Sequence, residues 1–316
     1  MKNIFDEIAN GDYFKVVYFD VHVLERYFNN PKYYVFYSDY RGKIAIKDEY
    51  YNEHTESEYI KNFGLAYRED DLDKRAIVAF ASDLAKLPIK AQGYWYSHML
   101  DNPKDYYPNN GFIKNLIRGE WVEDISIFSA LLMEIHYINK MCECLELPNL
   151  FKEEFKYNSM NKDDRPVNYH IVLLPTRDNY YNFINTLEKL VINNLEPNTF
   201  MKDGMLITRV SRKTEDGFNK GTLAMMSEWY SKNVTGANFE EDIIKPLKKL
   251  RKLRQKPAHQ LYENMYDEGI WKDQKNLMHN VYSAVRGIRL LFANHPLARE
   301  VKIPKVLFEG RNIVQY

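Results

Sequence analysis

The spacing of apolar residues changes character along the chain. Tyr13–Leu24 (YFKVVYFDVHVL) and Lys32–Ile46 (KYYVFYSDYRGKIAI) are dense in β-branched and aromatic residues, which pack well on a pleated surface, and Asp39–Gly42 predicts a turn between two strands. From Asp73 the period becomes helical: Ile77, Phe80, Leu84 and Leu87 fall three or four apart, and Pro88 ends the run. Val122–Leu147 has the apolar density of a core helix, closed by Pro148. His22, set between two valines, is expected to pack within a strand. Gly93–Leu100 (GYWYSHML) is expected to supply aromatic core, because Trp and Tyr tend to be buried; base stacking is the rival use.

Lys152–Pro166 (KEEFKYNSMNKDDRP) is polar and interrupted, which marks it as a domain junction, and the apolar Tyr169–Pro175 after it predicts a short strand. Four amphipathic helices are then expected. Thr176–Leu195 has Thr176 as its cap and Phe183, Leu187 and Leu190 on one stripe. Gly221–Val234 stops at Thr235-Gly236, and a third helix runs from about Glu240 to Gln255. Trp271–Asn294 carries Leu277, Val281, Val285, Ile288 and Phe292 at helical steps. The fold class is therefore α+β: a mixed domain over 1–150, a junction with a short strand over 151–175, and a four-helix bundle over 176–316.

Composition changes this picture little. Lys+Arg and Asp+Glu both number 44, so any electrostatic attraction to a partner must be local. The two cysteines, Cys142 and Cys144, are too close for a disulfide framework and suit a reducing compartment. No leader-like or membrane-length apolar run occurs, so a soluble cytoplasmic protein with no membrane partner is expected. Phosphate-loop, dinucleotide, nucleophile-elbow and zincin motifs are absent. Acidic pairs such as Asp70-Asp71 and Asp163-Asp164 fall in polar segments, so no metal and no cofactor is expected.

The third helix concentrates the chemistry. Ile243, Leu247 and Leu250 define its buried face, and the next step of four lands on Arg254. An inward guanidinium needs a partner, a cleft or a second protomer, because an unpaired buried charge costs several kcal/mol. Pro257 follows, then His259; a kink or a break and restart at Pro257 would turn the imidazole back beside Arg254. Lys248, Lys249, Arg251, Lys252 and Lys256 crowd the same stretch. With Glu240, Glu241 and Asp242 in the first turn, these cations also fit the helix macrodipole as a solvated face.

Arg254-Gln255-Lys256-Pro257-Ala258-His259, an Arg-x4-His motif between the later helices of a bundle, resembles the signature of the HEPN superfamily. The resemblance covers roughly Thr176–Asn294 and, more weakly, His295–Gly310. It implies a HEPN-like bundle in which Arg254 and His259 form the catalytic pair of a metal-independent endoribonuclease, commonly a homodimeric toxin or phage-defence effector. Gln255 supports the motif where the family often has Asn, Asp or His, and Pro257 is a second departure. Residues 1–150 resemble no family and are expected to sense a trigger, select the substrate or meet a regulatory partner protein.

Cleavage through the 2′-hydroxyl of RNA needs a base, an acid and positive charge on the phosphoryl group. His259 suits the proton transfers and Arg254 the phosphate. One histidine cannot be base and acid in one step; two copies at a dimer interface supply both roles. Lys248, Lys249, Arg251, Lys252 and Lys256 would hold flanking phosphates. Arg286 and Arg289, one turn apart on the last helix, would add to this or form surface salt bridges. The alternative is a non-catalytic binding or dimerisation module, which the departures at Gln255 and Pro257 favour.

Overall fold

An antiparallel sheet organises the N-terminal part. The computed structural model describes residues 3–38, 40–53, 58–68, 71, 73–120, 124–157, 164–204, 206–236, 238–259 and 261–314, with the backbone alone at Ser38, Asn52, Glu53, Ala258 and His259. Strands β1 (Val16–Phe19), β2 (Tyr33–Ser38), β3 (Arg41–Ile46), β4 (Asn62–Arg68) and β5 (Arg75–Phe80) lie in the order β1-β5-β4-β3-β2. β6 (Tyr106–Pro108) continues along β4 where β3 leaves it. β2 and β3 make the expected hairpin, closing at Ser38↔Arg41; Asp39 in its turn lies outside the described residues. Gly42 stands opposite Phe63, and a Cβ there would come within 2.0 to 2.6 Å of the ring, so this crossing requires glycine.

The helical expectation from Asp73 fails over Arg75–Phe80. All six residues are buried and form β5, between β1 and β4. A strand covered on both faces shows no alternation, so its continuous apolar run imitates a buried helix. The helical turn α3 (Ala81–Leu84) begins only afterwards. α1 (Ile4–Ala9), α2 (Glu25–Phe28), α4 (Ile89–Ser97) and α5 (Asn110–Ile113) complete this part. Trp95 of α4 is fully buried, meets Phe19 edge-on at 5.0 Å and donates from Nε1 to Tyr27 Oη at 2.9 Å, so Gly93–Leu100 does supply core. His22 is corrected: Val21–Leu24 is a 3-10 turn, and its partly exposed ring is held by Asp20 and lies 4.9 Å from Tyr266.

The helical part comprises α6 (Ile127–Cys144), α7 (Arg177–Glu188), α8 (Pro197–Met201), α9 (Thr222–Asn233), α10 (Lys245–His259), α11 (Gly269–Ala293) and α12 (Lys305–Glu309). Thr176 caps α7 through Asn179 N–H, and Phe183, Leu187 and Leu190 are buried as expected. So are Leu277, Val281, Val285, Ile288 and Phe292 of α11. α6 lies against α11, joined by a buried ion pair between Glu134 and Arg289. The larger of two hydrophobic clusters runs from Phe5 to Leu307 and includes residues on both sides of the expected boundary near residue 150.

Tyr169–Leu174 is buried but is no strand. Side chains satisfy its backbone instead of a ladder: Gln274 accepts from Val172 N–H at 2.8 Å and donates to His170 O at 2.9 Å. Val172 O accepts from Trp271 Nε1 at 2.8 Å and Arg75 Nη1 at 3.2 Å. Near the C-terminus, β8 (Ile313–Val314) pairs in parallel with β7 (Ile125–Ser126). Among the described residues no helix is long and apolar enough to cross a membrane.

Candidate functional site

The chain enters α10 through one π-helical turn, Glu240–Ile244, and buries Ile243, Ile244, Leu247 and Leu250. Arg254 lies on the angular continuation of this stripe, about 20° from Leu247. It is nevertheless exposed, which corrects the expected inward placement. Lys252, Gln255 and Lys256 are exposed too, so the last turns of α10 run past the helices that cover Leu247 and Leu250. The stripe is correct in angle; among the described residues no element lies over its end. The guanidinium therefore needs no cleft.

Backbone helix continues through Pro257 to His259, so the chain does not break and restart there. The proline leaves Leu253 O without its helical donor. At five residues' separation on a helix, Arg254 and His259 leave the axis about 140° apart and about 7.5 Å along. The side chain of His259 lies outside the described residues.

Two of the expected phosphate contacts are engaged elsewhere. Lys248 donates to Glu240 Oε1 at 2.8 Å, a hydrogen bond that holds this carboxyl below its usual range. Arg251 turns inward to Glu188, with Nε 3.7 Å from Oε1 of this buried carboxylate, which also accepts from Asn193 at 2.8 Å. Lys249, Lys252, Arg254 and Lys256 are exposed, and none has an ion-pair partner among the described residues. Arg289 is 1% exposed and bound to Glu134, so it makes neither a phosphate contact nor a surface salt bridge.

The segment after α10 is pinned across the start of α7. Arg177 N–H donates to Met265 O at 3.1 Å, Asp178 N–H to Asn264 Oδ1 at 3.1 Å, and Tyr266 bridges Thr176. Tyr262 meets Tyr181 edge-on at 4.8 Å, and Tyr181 lies 6.4 Å from Tyr180. Leu261 is fully exposed, Tyr262 40% and Met265 45%. Three residues of chain reach at most about 11 Å, so Tyr262 stays close to His259. Basic charge and exposed aromatic surface thus meet at the end of α10.

A second histidine has a carboxylate partner that no sequence motif marks. His136 Nδ1 lies 2.6 Å from Glu154 Oε2, and Asn139 Nδ2 donates to the other carboxylate oxygen at 2.8 Å. Glu154 comes from the polar segment after α6, 18 residues away, a separation that carries no periodic signal. His54, Asp70 and Asp163 lie outside the described residues. Among those described, no three His, Cys, Asp or Glu side chains gather as a metal ion requires. No protein-family model, curated protein or solved structure matches the chain.

Proposed function

We propose that the chain is a metal-independent endoribonuclease of HEPN type that acts as a homodimer, with Arg254 and His259 as its catalytic pair and α7, α9, α10 and α11 as its bundle. The observation that carries this reading is the overhanging end of α10. It presents Lys249, Lys252, Arg254 and Lys256 unneutralised, next to exposed Leu261 and Tyr262. Unpaired cations beside aromatic faces suit single-stranded RNA, with charge for the backbone and rings for the bases. On one continuous helix Arg254 and His259 diverge, so the reading requires a second copy to bring them together. Exposed Leu261 and Met265 give that copy an apolar patch to cover.

In the reaction the 2′-oxygen attacks phosphorus and the bond to the 5′-oxygen breaks. His259 of one copy takes the 2′-hydroxyl proton, His259 of the other protonates the leaving oxygen, and Arg254 stabilises the charged phosphoryl group. The sheet domain would regulate this activity, alone or through a partner protein. A cytoplasmic toxin or phage-defence role belongs to the same proposal. A second reading, a non-catalytic binding or dimerisation module, is favoured by Arg254 lying in the open. Purified protein incubated with RNA in EDTA separates the two: cleavage by wild type that His259→Ala abolishes while the variant stays folded supports the nuclease. Equal cleavage by both, or cleavage by neither, rejects it.

A further inference from the structure

The outer face of α11 carries a polar series separate from the end of α10. His279, Ser283, Arg286 and Leu290 recur at helical steps and fall within about 60° of arc, roughly opposite the buried stripe through Leu277 and Ile288. On most surface helices such a face is open to water. Here the C-terminal segment folds back beside it and partly covers Arg286, pinned by the pairing of Ile313 and Val314 with Ile125 and Ser126. Gly310 and Ile313 from that segment, with Ile127 from α6, wall a cavity of about 380 Å³ against the four α11 residues, Tyr282 and Gly287.

Among the described residues the positive charge in this cavity outweighs the negative. Glu134 is the acidic group beneath it, and it is already committed to Arg289 through Nε and, at 3.4 Å, Nη2. Arg286, one turn earlier, has no hydrogen bond and no ion pair among the described residues, and its Nε is buried without a partner. Among the described residues one carboxylate faces two guanidiniums, an excess of one positive charge. A partly buried cation that shares its nearby carboxylate with a second guanidinium gains from an anionic ligand. The guanidinium also rests on Gly310, where a Cβ would come within 2.3 to 2.7 Å of its atoms. The same glycine has φ +66°, a backbone conformation that side chains rarely adopt.

We propose that this cavity binds the phosphate group of a small phosphate monoester. Arg286 supplies a planar fork of donors and the charge, and Ser283 and His279 supply hydrogen bonds from one and two turns away. Donors at three levels along one helix face, with a full charge at one of them, suit a phosphoryl group, which offers three accepting oxygens, better than a carboxylate, which offers two. Ile127, Leu290 and Ile313 line the cavity with apolar surface for the ester's organic part. The site does not use Arg254 or His259 and stands whether or not the chain cleaves RNA.

Isothermal titration of the full chain with phenyl phosphate, with benzoate as the planar control at matched ionic strength, tests this. Wild type is expected to bind phenyl phosphate and to bind benzoate at least tenfold more weakly. Arg286→Met should weaken phenyl phosphate at least tenfold. Ser283→Ala, at an exposed position where folding is not at risk, should weaken it severalfold while leaving the unfolding midpoint unchanged. No binding of phenyl phosphate to wild type at millimolar concentration, equal binding of benzoate, or wild-type binding by Ser283→Ala together with Arg286→Met would overturn the proposal.

Discussion

Removing one partner of the Glu134–Arg289 pair should destabilise the protein severely, whereas removing both should not. Glu134 is 0% and Arg289 1% exposed, so neither charge can turn to water when its partner is lost. Glu134 also accepts from Tyr282 Oη at 3.4 Å, and Arg289 Nη2 donates to Leu307 O at 3.1 Å. Breaking a buried pair from one side costs about 3–5 kcal/mol. Glu134→Leu falls in that range, and Arg286, also attracted by this carboxylate, deepens the loss. Arg289→Met also strands Leu307 O, which adds about 1–3 kcal/mol. Domains are stable by only about 5–15 kcal/mol, so either single variant should shift the urea midpoint far down. Glu134→Leu combined with Arg289→Met replaces the pair with apolar groups and should lie within about 2 kcal/mol of wild type. Urea unfolding followed by circular dichroism measures all four proteins. Single losses below about 1 kcal/mol, or a double loss equal to the sum of the singles, would refute the claim that this pair is a desolvated tie between α6 and α11.

His170 gives a pH signature. Its ring lies 4.4 Å from Tyr37, its Nδ1–H donates to Ile171 O at 3.0 Å, and burial pushes its pKa from 6.5 down to about 4. Between these values the native state binds fewer protons than the unfolded chain, so stability should fall as pH drops through that window, by at most about 3 kcal/mol. His170→Phe should flatten that part of the urea midpoint against pH; an unchanged profile would contradict it. Asn139 exchanges two 2.9 Å hydrogen bonds with the backbone of Phe151, so Asn139→Leu should cost about 2–4 kcal/mol in urea unfolding. If the four free cations of α10 contact single-stranded RNA, the logarithm of affinity should fall against the logarithm of salt with a slope of about −2.8, and Lys252→Ala should reduce it by about 0.7. Fluorescence anisotropy of a labelled RNA measures both.

Elements that present one face to the core were legible in the sequence. The stripes of α7 and α11, and the β2–β3 hairpin, announce themselves because half of each element stays wet and the contrast sets the period. β5 was misread because its six residues are covered on both sides and keep no contrast. Tyr169–Leu174 has strand-like composition, but its hydrogen-bond partners are side chains roughly a hundred residues away, which no local pattern encodes. At the candidate site, periodicity gave the direction of Arg254 correctly and could not tell that α10 outruns its neighbours. Burial depends on what lies opposite. For the same reason the sequence leaves Arg251 free although Glu188 lies beside it, and shows no tie between Glu154 and His136.

The central claim, attack by the 2′-hydroxyl without metal, is tested most directly by the ends of the RNA fragments. Wild-type protein in EDTA should leave a 2′,3′-cyclic phosphate and a 5′-hydroxyl, and a single 2′-deoxy substitution at the cleaved position should stop cleavage there. Fragments ending in a 3′-hydroxyl and a 5′-phosphate, or cleavage that persists at the deoxy position, would contradict the mechanism.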